Sequence, residues 1–184
     1  SSRARSITVI VNSANPVSMA FADEEDYGVD AVLWVGSVGQ TGLYALGDVL
    51  SGAVNPSGSL PDTWWKDNQL DPVQNNFGVY TYAGQENYTY PANANSYNHY
   101  VVYQEGVYLG YKYTETRYED VVLGTPNAGN FQYNNVVAYP FGSGLSYTHF
   151  AFSDMQVQKV GEGLKTEYQL TVTVTNTGDK AGQK

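Results

Sequence analysis

Cysteine is absent from the 184 residues, which excludes disulfides, thiolate-bound zinc and thiol nucleophiles together. Positive charge is scarce: nine Lys plus Arg face eighteen Asp plus Glu, for a net charge of -9. A surface of that sign repels phosphate backbones and anionic bilayers, so neither nucleic acid nor a membrane is an expected partner. No apolar run approaches the roughly 20 residues of a spanning helix. No signal peptide opens the chain, which is expected either to lack one or to have lost it. The histidines are His99 and His149, with no carboxylate or second histidine at a metal-ligand spacing, so each is expected to be a surface or packing residue. A Gly-x-Ser-x-Gly nucleophile elbow is missing; Gly142-Ser143-Gly144 is one residue short of it and follows no apolar strand. Phosphate-cradling Gly-x-x-x-x-Gly-Lys and calcium-loop patterns are also missing. No metal site and no cofactor are expected.

What is present suits a packed core. The chain is 42% hydrophobic and 15% charged, enough for one large or two small domains. Residues 28–61 organise it. Ala31-Val32-Leu33-Trp34-Val35 is an apolar run of strand length without polar alternation, as a buried parallel strand requires. A glycine-punctuated loop, Gly36-Ser37-Val38-Gly39-Gln40-Thr41-Gly42, leads into Leu43, Leu46 and Leu50 at helical spacing, and Gly52 closes that helix. Upstream, Ile7-Thr8-Val9-Ile10-Val11 reads as a second buried strand. Asn15 and Pro16 then supply a helix cap and first-turn proline for a short helix to about Ala22. Strand, helix, strand, helix implies parallel strands with a right-handed crossover.

That order weighs the acidic run Asp23-Glu24-Glu25-Asp26. It lies in a helix-to-strand connection, at the amino end of the next strand, whereas ligands of open α/β sheets bind at the carboxyl ends. It reads as a solvated face. The loops at the functional end are residues 12–15 and 36–42. Their Asn and Gly residues serve turns and caps, or Gln40 and its neighbours line a cleft.

Residues 62–100 lack a sustained period and favour an irregular segment laid over a surface. Eleven tyrosines lie between Tyr80 and Tyr118; such amphipathic rings either pin a long loop to a core or contact sugar or protein. Asn87-Tyr88-Thr89 fits a glycosylation sequon. Residues 105–113 alternate like a strand, and residues 114–135, polar with turn signals at 124–130, look like an insertion. From Phe150 the chain reads as all β: a strand over 150–157, then Leu170, Val172 and Val174 alternating with threonines. Two or three strands cannot close a sandwich by themselves.

Four blocks in order, DAVLWVGSVGQTGLYALGDVLSGAVNPSGSLPDTW, YQEGVYLGYKY, YPFGSGLSYTHFAFS and LTVTVTNTGDKAG, resemble the C-terminal half of the family 3 glycoside hydrolases, the β-glucosidase and β-xylosidase family. The resemblance implies a fold that is α/β followed by all-β. Residues 1–65 would be the C-terminal portion of an α/β sandwich with parallel strands. Residues 66–149 would be a long Tyr-rich irregular linker, with the insertion at 114–135. Residues 150–184 would open an incomplete fibronectin-type-III-like β-sandwich. It also implies retaining, exo-acting hydrolysis of β-glucosides or β-xylosides by the intact protein. The nucleophile would be an aspartate of a missing barrel domain, and the acid/base glutamate would lie upstream of residue 7. No catalytic residue is carried over; Glu105 matches a linker motif. Gly39, Gln40 and Thr41 are the expected substrate contacts. The expected partners are a β-linked carbohydrate and the barrel of the same protein; the expected location is extracellular or at the cell surface. A non-catalytic carbohydrate-binding module and a purely structural scaffold are the competing classes.

Overall fold

The computed structural model describes residues 5–78, 83–84 and 102–184. Two compact units are drawn from it, one from Ser1–Ser37 and Pro61–Gly142, the other from Val38–Leu60 and Ser143–Lys184.

In the first unit, strands β1 (Thr8–Val11) and β2 (Ala31–Trp34) pair in parallel, with Thr8 opposite Ala31 and Val11 opposite Trp34. The two apolar runs therefore do what their composition predicts, but they are only partly covered. Val11 is buried, whereas Ile7 and Ile10 are each 41% exposed, because the sheet has two strands and each leaves an edge unpaired.

The helix expected after Pro16 is replaced by extended chain and two 3₁₀ turns, Ala20–Asp23 and Glu25–Tyr27. The cause is tertiary. Met19 and Ala20 donate their amides to the carbonyls of Trp65 and Lys66, both at 3.0 Å, and a backbone committed to that partner has no free donors for a helix there. Asn15 caps nothing; its amide donates to Ser13 Oγ. Asp23, Glu24, Glu25 and Asp26 are exposed, as a solvated connection should be, and the Lys66–Asp23 pair at 3.7 Å is a surface contact.

The core of this unit is aromatic and comes from a segment that reads as irregular. Strand β3 (Trp64–Trp65) pairs antiparallel with β4 (Val137–Tyr139), a residue separation that no local period announces. Trp64 is 2% exposed, Met19 is fully buried, and Trp65 and Val137 are buried with them. Trp34 meets Trp64 edge to face, at 5.5 Å between ring centroids, the arrangement that ring quadrupoles favour. Helix α2 (Pro72–Asn76) follows, capped by Asp71, whose Oδ1 accepts from the Val73 amide.

Residues 105–113 are not a strand. Residues 104–107 turn, Gly106 and Gly110 take φ of +61° and +59°, and helix α3 (Tyr111–Leu123) begins directly after them. Left-handed glycines end any extended run, so the alternation of side chains is coincidental. Most of the supposed insertion at 114–135 is thus helical: α3, turns over 124–130, then α4 (Tyr133–Val136). Arg117 ties these parts together, donating to the carbonyls of Asn127 and Ala128 and lying over the Phe131 ring.

In the second unit, helix α1 (Gly42–Leu50) forms where the leucine spacing places it. Strands β5 (Phe150–Val160) and β6 (Glu167–Asn176) make a long antiparallel ribbon. Asn55 holds the unit together: its Oδ1 accepts from Ser146 Oγ and the Tyr147 amide, and its Nδ2 donates to the Ala181 carbonyl. Buried Thr148 donates to Asn176 Oδ1 at 2.7 Å, and Tyr147 donates its hydroxyl to the Val49 carbonyl of α1.

Candidate substrate-facing loops and an acidic cluster

Parallel pairing puts the carboxyl ends of β1 and β2 side by side, so the chain leaves both strands in the same direction. Residues 12–15 follow β1 and residues 36–42 follow β2. The first loop is held by its neighbour: Trp34 Nε1 donates to the Ser13 carbonyl at 2.7 Å, and Ser13 Oγ donates to the Asn15 carbonyl at 2.7 Å. The second is shaped by glycine. Gly36 and Gly39 take φ of +59° and +64°, and at Gly42 an added Cβ would stand 2.8 Å from Val38 Cβ. Gly42 donates its amide to the Val38 carbonyl, closing the turn that starts α1.

Gly39, Gln40 and Thr41 lie together at the apex of this turn, all exposed. Thr41 is the helix N-cap residue, but its side chain makes no capping bond. Gly39 serves the turn through its positive φ, whereas the Gln40 and Thr41 side chains make no side-chain hydrogen bond among the described residues.

His149 is exposed, and its carbonyl accepts from the Thr177 amide at 2.8 Å. It borders a cavity of about 250 Å³ in the second unit with Ser57 and Phe150. His99, the Asn87 sequon and the tyrosines from Tyr80 to Tyr100 lie outside the described residues. Trp64 and Trp65 are buried rather than surface groups, so their fluorescence would report folding of the core.

Three carboxylates of the first unit interact: Glu105, which the sequence marked only as part of a linker motif, and Asp62 and Asp71, which it did not mark. Glu105 is 5% exposed, and neither of its oxygens has a hydrogen-bond partner. Burial pushes the Asp71 carboxyl above its ordinary range; the Val73 amide pulls it down, and the charges of Glu105 and Asp62 push it further up. Asp62 lies against Gly110, where an added Cβ would be 3.1 Å from its Oδ1. Asp71-Pro72 is a helix-start signature legible in the sequence; the burial of Glu105 is not, because it depends on chain brought from elsewhere. Burial also pushes the Tyr133 hydroxyl well up, reinforced by its 2.8 Å hydrogen bond to Glu115. Among the described residues no group of three or more His, Cys, Asp or Glu could hold a metal ion.

Comparison with known proteins agrees with these blocks. The profile of the Glycosyl hydrolase family 3 C-terminal domain matches residues 1–111. A β-glucosidase of Ruminococcus albus is 31% identical over 181 residues, covering 97% of this chain and 15% of that protein. A probable β-glucosidase I of Aspergillus clavatus is 36% identical over 178 residues, covering 95% of this chain and 17% of its own. The crystal structure of a β-glucosidase from Paenibacillus barengoltzii superposes with a TM-score of 0.67 at 31% identity, over 94% of this chain and 15% of that one. The chain thus spans about a sixth of the length of these relatives. On this match the chain belongs to the glycosyl hydrolase family 3 C-terminal domain family.

Proposed function

We propose that this chain is the non-catalytic C-terminal portion of a retaining, exo-acting β-glycosidase, one that removes β-glucosyl or β-xylosyl units. Its part is to wall the active-site cleft and to anchor an accessory β-sandwich. The observation that carries this reading is the parallel pairing of β1 and β2, which brings their carboxyl ends to one side, where open α/β sheets receive ligands. Gly39, Gln40 and Thr41 are exposed at the apex of the second loop, with Gln40 able to donate and accept hydrogen bonds to sugar hydroxyls.

Retaining hydrolysis needs two carboxyl groups about 5–5.5 Å apart, one to attack the anomeric carbon and one to protonate the leaving oxygen and then activate water. In this reading both belong to polypeptide outside the chain, the nucleophile to a barrel domain. Residues 1–65 close the α/β sandwich, 66–149 link it onward, and the β5–β6 ribbon begins a fibronectin-type-III-like sandwich. The enzyme works outside the cell or on its surface.

The test is Gln40→Ala in the intact protein, assayed on an aryl β-glucoside. Loss of one uniform-binding hydrogen bond raises KM about five- to tenfold with kcat little changed. Kinetic constants equal to wild type would remove loop 36–42 from the cleft.

A further inference from the structure

Trp34 ends β2, opposite Val11 at the end of β1. An indole has two needs, apolar contact for its ring and an acceptor for its single N–H donor, and two different parts of the first unit meet them. The ring packs edge to face on Trp64, at 5.5 Å and 66°, and Trp64 is itself only 2% exposed. The donor points out of that core: Nε1 donates to the Ser13 carbonyl at 2.7 Å, across 21 residues of sequence. Residues 12–15 have little else to hold them. Ser13 Oγ donates to the Asn15 carbonyl and accepts from the Asn15 amide at 3.2 Å, bonds that shape a turn but tie it to nothing beyond itself. Among the described residues no other hydrogen bond joins residues 12–15 to the rest of the unit.

We propose that Trp34 is a positioning residue, one that carries the rigidity of the Trp64 core to residues 12–15 and so fixes a sugar-facing wall at the end of β1. The inference rests on the reading that the carboxyl ends of β1 and β2 face the cleft, and it adds the loop after β1 to that reading. The groups held in place are the exposed side chains of Asn12 and Asn15, amides that donate and accept at once, as sugar hydroxyls require. Recognition of hydroxyls needs such groups fixed to within about 0.5 Å. A turn bonded only to itself does not provide that; a turn bonded to a ring wedged on the core does.

The experiment is Trp34→Phe in the intact protein, which keeps a ring against Trp64 and deletes the donor. Expected is amide hydrogen exchange at residues 13–15 faster by about three- to tenfold, the loss of one neutral hydrogen bond. Exchange at Met19 and Ala20, whose amides donate to the Trp65 and Lys66 carbonyls, should stay as in wild type. On an aryl β-glucoside KM should rise by a similar factor with kcat little changed, a split that general destabilisation does not produce. Wild-type exchange at residues 13–15 would overturn the brace, and faster exchange there with wild-type KM would overturn its role toward substrate. Should Trp34→Phe not fold, two other measurements decide. The Trp34 indole N–H of the wild-type protein should exchange slowly, and Ser13→Ala, which loosens the turn and leaves the core in place, should raise KM; a freely exchanging indole or an unchanged KM would overturn the proposal. The kinetics of Gln40→Ala bear on loop 36–42 alone. An intact wild-type protein without turnover would overturn the cleft reading and this role with it, whatever the exchange.

Discussion

At Asp71 two demands on one carboxylate conflict: capping α2 favours the charged form, while burial and the nearby Glu105 and Asp62 disfavour it, and burial is the largest influence. Its folded pKa lies above the ordinary 3.8, so the folded protein binds this proton more tightly than the unfolded chain. The stability it contributes is complete below 3.8 and is lost as pH rises through the folded pKa. Asp71→Asn keeps the oxygen that accepts from Val73 and removes the charge. Urea midpoints of the variant should therefore fall less steeply than wild type across the pH range just above 3.8. Gly110 offers a second residue-level test. Its φ of +59° and ψ of -133° suit glycine, and Asp62 fills the space a side chain would take. Gly110→Ala should cost about 1–3 kcal/mol, and more than Gly106→Ala, whose added Cβ meets nothing within 4 Å. Adding Asp62→Ala should recover the steric part alone. Trp64→Ala, emptying the 2%-exposed centre of a small core, should cost about 3–5 kcal/mol in the same denaturation series.

Among the elements, the β5–β6 ribbon shows how a sequence phase becomes geometry. Phe150 and Phe152 alternate in one phase, Met155 and Val157 in the other, and the register slips between Ser153 and Gln156, so that two residues face Val172 alone. Asp154, at φ +53°, takes the strained position of this bulge. The bulge returns Val157 to the face that Phe152 shares with Leu170 and Val174. Deleting Asp154 should give an unbulged ribbon with the same apolar face, measurable as continuous cross-strand nuclear Overhauser contacts; loss of the Phe152–Val174 pairing would contradict this. The parallel pair was legible as two apolar runs of strand length, and α1 and this ribbon because each is written in a local period. The helix at 111–123 was not: Tyr-Lys-Tyr-Thr favours strands locally, and what decides its state is two left-handed glycines before it and Arg117 gripping residues 127–131 after it. The Trp64–Trp65 strand was equally hidden, since its partner lies at residues 137–139.

Over the whole molecule, apolar surface is abundant. Phe152, Met155, Val157, Leu170, Val172 and Val174 are all between 45% and 67% exposed, and Leu43 and Leu50 of α1 are half exposed. Such a face marks an interaction site, and in the proposed assembly the remaining strands of a sandwich cover the ribbon while further α/β elements cover the parallel pair. Of the candidate site, the loops at the strand ends were legible from element order alone. The burial of Glu105 was not, because burial is a property of the assembled unit. Under the proposed function, this family 3 domain supports chemistry whose reactive carboxylates lie on other polypeptide. That division of labour is tested most directly by the rate at which the purified 184-residue chain releases nitrophenol from p-nitrophenyl β-D-glucoside, beside the intact protein. Release at the uncatalysed rate is expected of the chain and turnover of the intact protein; turnover by the chain alone at about 1–1,000 s⁻¹, the ordinary enzymatic range, would overturn that proposal.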